Sequence, residues 1–142
     1  MKKTLTSVVS ILLIAVFMLS LASCGKSVDV EGLWKQATYT RDKTFGKGDT
    51  TVELEVKVED QSVTFTIKTD KKILGDALLE HKLIEGEEGP YGLYVKKVNG
   101  ITADYDIDQS YWSLEKNGEA LMTGVDMTEI ADGEHYEFVY KK

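Results

Sequence analysis

The chain has 142 residues, with 24 acidic side chains against 17 basic ones and a net charge of −7 at neutral pH. This balance makes nucleic acid a poor partner, because binding it depends on neutralising phosphates with lysine and arginine. The single cysteine excludes an internal disulfide, so packing alone must hold the fold, and seven Tyr, four Phe and two Trp supply aromatic area for it.

The N-terminus has the three parts of a secretory signal peptide. Two lysines follow Met1, an uncharged apolar stretch covers residues 8–22, and small residues precede Cys24. The apolar stretch is shorter than the roughly 17–25 residues that a membrane-spanning helix requires. We therefore expect residues 1–23 to be removed during export; a retained transmembrane anchor is the weaker alternative.

The residues around the cysteine, Leu21-Ala22-Ser23-Cys24, resemble the lipobox of bacterial lipoproteins. The resemblance implies that the thiol of Cys24 receives a diacylglyceryl group and that Cys24 becomes the first residue of the mature chain. Two or more acyl chains give stable anchoring, at about 0.8 kcal/mol per buried CH₂. We expect a protein on the extracytoplasmic face of the cell membrane, with residues 24–31 as lipidated N-terminus and short tether and residues 32–142 as a single domain.

The domain begins with strand patterns. Residues 32–39 are interpreted as a first strand and residues 41–50 as a loop rich in charge and glycine. Apolar and polar side chains then alternate over residues 52–58 and again over residues 63–67, which is the period of half-buried strands. The polar residues 59–62 predict a turn, so the two segments should form a β-hairpin.

The period changes after the hairpin. Leu74, Ala77, Leu78 and His81 follow the i, i+3, i+4, i+7 spacing of one helix face. A glycine-rich loop at residues 86–92 precedes several short strands, which are predicted at residues 93–98, 101–107, 111–116, 119–122 and after Asp132-Gly133. The order of a hairpin, a helix and further strands predicts an α+β domain with one helix packed on a mostly antiparallel sheet.

Four segments carry a family resemblance: GDALLEH at 75–81, YGLYVKKVNGI at 91–101, YWSLEKNGEALMTGV at 111–125 and DGEHYEFVY at 132–140. Across about residues 73–140 they look like the family named for the C-terminal domain of transcobalamin, which is known in bacteria mainly as a domain of unknown function. The resemblance implies a β-grasp-like fold. In transcobalamins this domain covers one face of cobalamin, and a large helical domain, for which this chain has no room, holds the other face.

The resemblance implies a ligand-binding surface at Tyr111, Trp112, Asn117 and Gly118, with cobalamin or a related corrinoid as the ligand. A purely structural interpretation is also open. In that interpretation Trp112 packs in the core, and Asn117-Gly118, a strong hairpin signal, only turns the chain.

Asp104, Asp106 and Asp108 alternate in the segment ITADYDIDQSYW. On a strand they share one face, and in a loop they can converge on Ca²⁺, which prefers several oxygen ligands. The glycine and the distal glutamate of an EF-hand loop are missing, so a solvated acidic edge is the alternative. The two histidines, His81 and His135, join a transition-metal site only if the fold brings them to this acidic cluster.

Sequence signatures of catalysis are missing: the chain has no H-E-x-x-H, no G-x-x-x-x-G-K-S/T and no G-x-S-x-G. Acylation of Cys24 would also use the only thiol. We therefore expect a non-enzymatic, membrane-anchored binding module for a small ligand, with cobalamin as the specific hypothesis. The alternatives are a surface domain that contacts a transporter or another protein of an uptake system, or a divalent-cation binding protein.

Overall fold

A computed structural model of the protein describes residues 32–142. The predicted signal peptide, Cys24 and the tether lie outside the described residues, so the predictions made for them stay predictions. In the part that is described, no helix is long and apolar enough to cross a membrane. This part is mostly β with a few short helices, which confirms the sheet-rich character expected from the sequence.

A long hairpin forms the first half of the core. Strand β1 (Lys43–Gly46) precedes it, and β2 (Thr50–Val58) and β3 (Gln61–Thr69) pair antiparallel along their whole length. Successive side chains of a strand point to opposite faces, so alternate residues are buried, among them Val52, Leu54, Phe65 and Ile67. The hairpin prediction is confirmed.

The hairpin belongs to a six-stranded sheet with the order β1-β3-β2-β9-β7-β8. The other strands are β7 (Tyr111–Lys116), β8 (Glu119–Ala120) and β9 (His135–Lys141). β9 lies parallel to β2 and antiparallel to β7, so it joins the hairpin to the C-terminal strands. Its residues Tyr136 and Phe138 are buried in the core.

The sequence pattern indicated one sheet, whereas the structure has two. β4 (Ile84–Gly89), β5 (Gly92–Val98) and β6 (Ile101–Thr102) form a separate antiparallel sheet. The predicted loop at residues 86–92 is largely strand. A Cβ on Gly86 would lie 2.2 Å from the carbonyl oxygen of Tyr94, next to a shift in the β4–β5 register. The glycines therefore mark an irregular hairpin, because a bulge locally breaks the ladder and bends the strand.

The helix predicted near residue 74 is present as α1 (Leu74–Glu80), which buries Leu74, Ala77 and Leu78 in the same apolar cluster as the strands. A second short helix, α2 (Tyr105–Asp108), replaces much of the strand predicted at residues 101–107. The side chain of Asp104 accepts a hydrogen bond from the backbone N–H of Asp106 and caps α2, which favours a helix over a strand. A 3-10 turn (Val125–Met127) packs beside α1.

The strand predicted at residues 32–39 is wrong: residues 32–34 are helical, and residues 35–39 join neither sheet. Asn99 holds this segment instead. Its buried side chain accepts a hydrogen bond from the N–H of Tyr39 at 2.9 Å and donates one to the carbonyl oxygen of Tyr39 at 2.8 Å. We call this pair of bonds the Asn99 clasp. The amide side chain of Asn99 provides the N–H donor and the C=O acceptor that the backbone of a neighbouring strand would otherwise offer to Tyr39.

Candidate functional site

A groove of about 250 Å³ lies between the two sheets, where β5 packs beside β7. β5 supplies Leu93, Tyr94 and Val95, and β7 supplies residues 111–114. The remaining wall comes from β8, from the segment that leads to the 3-10 turn, and from Phe138 of β9. We call it the inter-sheet groove. Its lining residues come from both sheets, so it lies where the two sheets meet.

Two tyrosines border the inter-sheet groove. Tyr94 is 44% exposed and Tyr111 is 40% exposed, although both lie on regular strands. The ring of Tyr105 lies 6.5 Å from that of Tyr111 and extends the aromatic surface. Tyrosine offers an apolar ring with a polar tip and has few rotatable bonds, so this surface suits a flat ligand with polar substituents.

Trp112 lies behind Tyr111 and is only 7% exposed. Its indole Nε1 donates a hydrogen bond to the carbonyl oxygen of Ile101 at 3.1 Å, and its ring packs edge-on against Tyr140 with centroids 5.5 Å apart. These contacts make it a core residue that fixes β7 against β6. It also lines the inter-sheet groove, so a ligand there would touch part of the ring.

A second, wider cavity of about 790 Å³ also has Tyr111 in its lining. Tyr111 lines both cavities, and Tyr140, Lys141 and Lys142 line the wider one. Lys141 Nζ lies 2.7 Å from Glu115 Oε1. The hydrogen bond between them lowers the pKa of the Glu115 carboxyl and raises the pKa of Lys141. Both groups are therefore charged at neutral pH, and this end of the site is polar.

Asn117 and Gly118 line neither of these two cavities. They form the turn between β7 and β8, with φ of 55° and 79°. Two successive positive φ angles are the requirement of a type I′ hairpin turn. The structural interpretation thus accounts for both residues; through β8 they place Ala120 and Leu121 on the groove wall.

The three aspartates predicted as metal ligands lie on and beside α2. Asp104 Oδ1 is occupied by the N–H of Asp106, and Asp108 Oδ1 accepts hydrogen bonds from the N–H and the hydroxyl of Ser110. The Ser110 hydroxyl is the main cause of a lowered pKa at Asp108. Across residues 32–142, no three His, Cys, Asp or Glu side chains are arranged to hold a metal ion.

The two histidines take part in unrelated contacts. His135 Nδ1 lies 3.0 Å from Glu53 Oε2 on the neighbouring strand. His81 follows α1, and its ring lies against Phe45 with centroids 5.3 Å apart. Neither histidine lines the inter-sheet groove or the wider cavity.

Sequence reasoning missed the contribution of β5 to the site. Leu93, Tyr94 and Val95 fall inside a segment that carried the family resemblance, but nothing local distinguishes Tyr94 from an ordinary exposed strand residue. The pairing of β5 with β7 across two sheets is a long-range contact. Lys141 was missed for the same reason, since only the β7–β9 register places it opposite Tyr111, and Lys142 follows it directly in the chain.

Comparison with known proteins supports the resemblance. The family model described as Domain of unknown function (DUF4430) matches residues 72–142. A crystal structure from Ruminococcus gnavus ATCC 29149, of a protein for which metal binding has been suggested, is 35% identical, with a TM-score of 0.63. The alignment covers 66% of this chain and 98% of that one. No curated protein sequence matches the chain.

A structure of haptocorrin in complex with Cbi has the same fold over 69% of this chain, with 23% identity and a TM-score of 0.50. The match covers 26% of the haptocorrin chain, so this protein corresponds to about a quarter of it. The family match spans half of the sequence, and the Ruminococcus protein is aligned over nearly its whole length. This chain therefore belongs to the DUF4430 family, a family of domains of unknown function.

Proposed function

We propose that this chain is a lipid-anchored, extracytoplasmic module that binds a small molecule at the inter-sheet groove and is not an enzyme. The observation that carries the proposal is the position of Tyr111. Tyr111 is 40% exposed and lines both cavities, and Tyr94, which is 44% exposed, lines the same groove from the other sheet. Aromatic side chains on two rigid strands, with a few polar groups nearby, are what small-molecule sites commonly present.

A corrinoid, cobalamin or a close relative, is the specific ligand that we propose. The strand order and the helix that follows the first hairpin support a β-grasp-like arrangement with the helix on the sheet. The haptocorrin of the same fold was crystallised in complex with Cbi. A module of this size would cover one face of so large a ligand, so we expect weaker binding than a two-domain protein achieves.

The direct test is a titration of the fragment 25–142 with cobalamin and with cobinamide. The fragment contains all described residues, and the Ruminococcus chain shows that a domain of this extent forms a crystallisable protein. Trp34→Phe leaves Trp112 as the only tryptophan, so a change in tryptophan fluorescence would come from Trp112, which lines the groove. Saturable quenching is expected. No change in fluorescence or corrin absorbance at millimolar ligand would refute the corrinoid proposal.

Matched tyrosine variants locate the site. Tyr111→Ala and Tyr94→Ala each remove the ring of a residue that lines the groove, and each should weaken binding about tenfold or more. Tyr91→Ala is the control, because Tyr91 is 93% exposed and lines neither of the two cavities. Equal losses in all three variants would mean that the ligand binds elsewhere.

A divalent-cation site is the second candidate, and the Ruminococcus relative favours it. The residues present do not fit such a site well, because Asp104 and Asp108 use their Oδ1 atoms within α2 and Ser110. A rise in melting temperature with Ca²⁺ that disappears in the triple variant Asp104→Asn, Asp106→Asn, Asp108→Asn would support it. An unchanged melting temperature would exclude it.

A further inference from the structure

A third cavity, of about 350 Å³, lies at the opposite end of the six-stranded sheet from the inter-sheet groove. It is bounded by the loop between β1 and β2, by the end of β3 and by the residues that close α1. Three lysines and a histidine line it, and we call it the basic cleft: Lys47, Lys68, Lys71 and His81. None of these residues lines the groove or the wider cavity beside Tyr111.

The charge of the basic cleft is unusual for a chain with a net charge of −7. Many other lysines pair with carboxylates, as Lys57 does with Glu137 at 2.7 Å. Among the ion pairs of residues 32–142, none involves Lys47, Lys68 or Lys71. Three like charges around one cavity repel each other, and a bound anion would relieve this repulsion.

Two carboxylates also line the basic cleft and offset two of its three lysine charges. Asp70 Oδ1 accepts a hydrogen bond from the backbone N–H of Asp49 at 3.0 Å, which ties it to the loop. Glu80 is exposed, and its Oε2 lies 4.0 Å from His81 Nε2, beyond a hydrogen bond. With three lysines against two carboxylates, the cleft remains positive even when His81 is neutral.

His81 provides a second, independent observation. Its Nε2 is buried and has no hydrogen-bond partner, while the ring lines the cleft. A buried ring nitrogen without a partner destabilises the fold unless a ligand or water completes it. An oxyanion held by the lysines would lie beside this ring, and a hydrogen bond to the buried Nε2 itself would require a small movement of the ring or of the loop at Gly46.

The backbone of the loop between β1 and β2 lies close to the end of β3 at the basic cleft. A Cβ on Gly46 would lie 2.0 Å from the carbonyl oxygen of Lys68, and a Cβ on Gly48 would lie 1.9 Å from the carbonyl carbon of Thr69. The two glycines therefore allow a close approach that larger residues would prevent. This approach holds Lys47 beside Lys68 and Lys71 at the mouth of the cleft.

We propose that the basic cleft binds a phosphate group, either of a free phosphorylated molecule or of a lipid headgroup. Lysine ammonium groups bind phosphate as point charges, and charge-assisted hydrogen bonds to its oxygens are stronger than neutral ones. The proposal is independent of the ligand at the inter-sheet groove.

The test is an imidazole NMR titration of the fragment 25–142 with inorganic phosphate, at constant pH and with ionic strength matched by NaCl. The chain has only two histidines, so His135 is an internal reference. A saturable shift of the His81 signals with unchanged His135 signals is expected. Shifts of equal size at both histidines would overturn the proposal. A titration that does not saturate up to about 50 mM phosphate would also overturn it, because the dissociation constant would then be too high for a useful phosphate site.

A lysine pair and its control separate the cleft from general charge effects. The double variant Lys47→Ala, Lys71→Ala should weaken phosphate binding about tenfold or more. Lys72→Ala removes one charge from an exposed neighbour that does not line the cleft, and it should change the affinity less than about twofold. Equal effects of Lys71→Ala and Lys72→Ala as single variants would contradict the proposal.

Vesicles decide the source of the phosphate. A lipid headgroup would be identified if the fragment binds phosphatidylglycerol vesicles and does not bind phosphatidylcholine vesicles. The variant Lys47→Ala, Lys71→Ala must then fail to bind the phosphatidylglycerol vesicles. Phosphate binding without vesicle binding would identify a free phosphorylated molecule. If the fragment binds neither vesicles nor free phosphate, the proposed site is refuted.

Discussion

Asn99 and Asn117 have the same local sequence, an asparagine before a glycine, and both have positive φ, 50° and 55°. Their surroundings differ. Asn99 is 1% exposed and forms the Asn99 clasp on Tyr39, whereas Asn117 is an exposed turn residue. A dipeptide motif therefore predicts the turn at both sites and cannot reveal the clasp at one of them.

We predict that Asn99→Ala destabilises the fold more than Asn117→Ala does. Alanine at Asn117 loses only the preference for positive φ, about 1 kcal/mol. Alanine at Asn99 adds the loss of two buried hydrogen bonds to Tyr39, about 2 kcal/mol further. Urea denaturation of the two variants measures the difference in the free energy of unfolding. Equal losses would mean that the clasp contributes nothing.

Glu115 is a carboxyl whose charge links the stability of the fold to pH in the acid range. It is 7% exposed, and the hydrogen bond from Lys141 lowers its pKa below the ordinary value of 4.5. A carboxyl with a lowered pKa in the folded state stabilises that state above the ordinary pKa. This contribution is lost as the pH falls from about 4.5 through the lower, folded-state pKa.

The corresponding prediction is that Glu115→Gln flattens the pH dependence of stability below about pH 5. At neutral pH the variant should be less stable than the parent, because the partner Lys141 loses its ion pair. Glu119→Gln is the control, since Glu119 is exposed on β8 and forms no ion pair within residues 32–142. The free energy of unfolding, measured between pH 3 and 7, distinguishes them; parallel curves for Glu115→Gln and the parent would contradict the assignment.

At the scale of elements, Asp126 joins the β4–β5 hairpin to the 3-10 turn. The N–H of Leu93 donates to Asp126 Oδ2 at 3.1 Å. Gly92 has φ of 102°, and a Cβ there would lie 2.6 Å from Asp126 Oδ1. This junction holds β5 as the wall of the inter-sheet groove, so the shape of the groove depends on it.

We predict that Gly92→Ala loosens the hairpin and costs about 1–3 kcal/mol of stability. Gly89→Ala in the same hairpin is the control, because the nearest atom to its Cβ is 3.5 Å away, an ordinary contact. Hydrogen exchange should rise in β4 and β5 of the Gly92 variant and stay unchanged in β2 and β3. Exchange that rises equally in both glycine variants would show that Asp126 is not the reason.

The elements also show what sequence patterns can predict. The β2–β3 hairpin followed from alternation, because each residue's burial depends only on its own face of the strand. The separate sheet of β4 to β6 did not, since it depends on a bulge at Gly86 and on contacts with β7. Tyr111 was identified through the family resemblance, but its partner Tyr94 required the packing of two sheets.

For the whole molecule, the two proposed sites lie at opposite ends of the strand order, the groove on β7 and β8 and the basic cleft on β1 and β3. Gly32 and Leu33, next to the predicted tether, line the wider cavity beside Tyr111. A tether of residues 24–31 reaches at most about 28 Å. If Cys24 is acylated, the start of the domain at Gly32 therefore stays within that distance of the membrane, and the tether alone does not fix which end of the domain faces it.

The last prediction concerns that anchor. Cys24→Ser removes the only thiol, so the chain can no longer be acylated and should move from the membrane fraction to the soluble extracytoplasmic fraction. Ser23→Ala is the control, because it keeps a small residue before the cysteine and should leave the protein in the membrane. Cell fractionation followed by detergent phase partitioning measures both.

The purified fragment 25–142 should melt at the same temperature as the lipid-anchored protein, since the described core lies entirely within residues 32–142. A Cys24→Ser protein that stays in the membrane and still enters the detergent phase would mean that the apolar stretch of residues 8–22 can hold the domain there without a lipid.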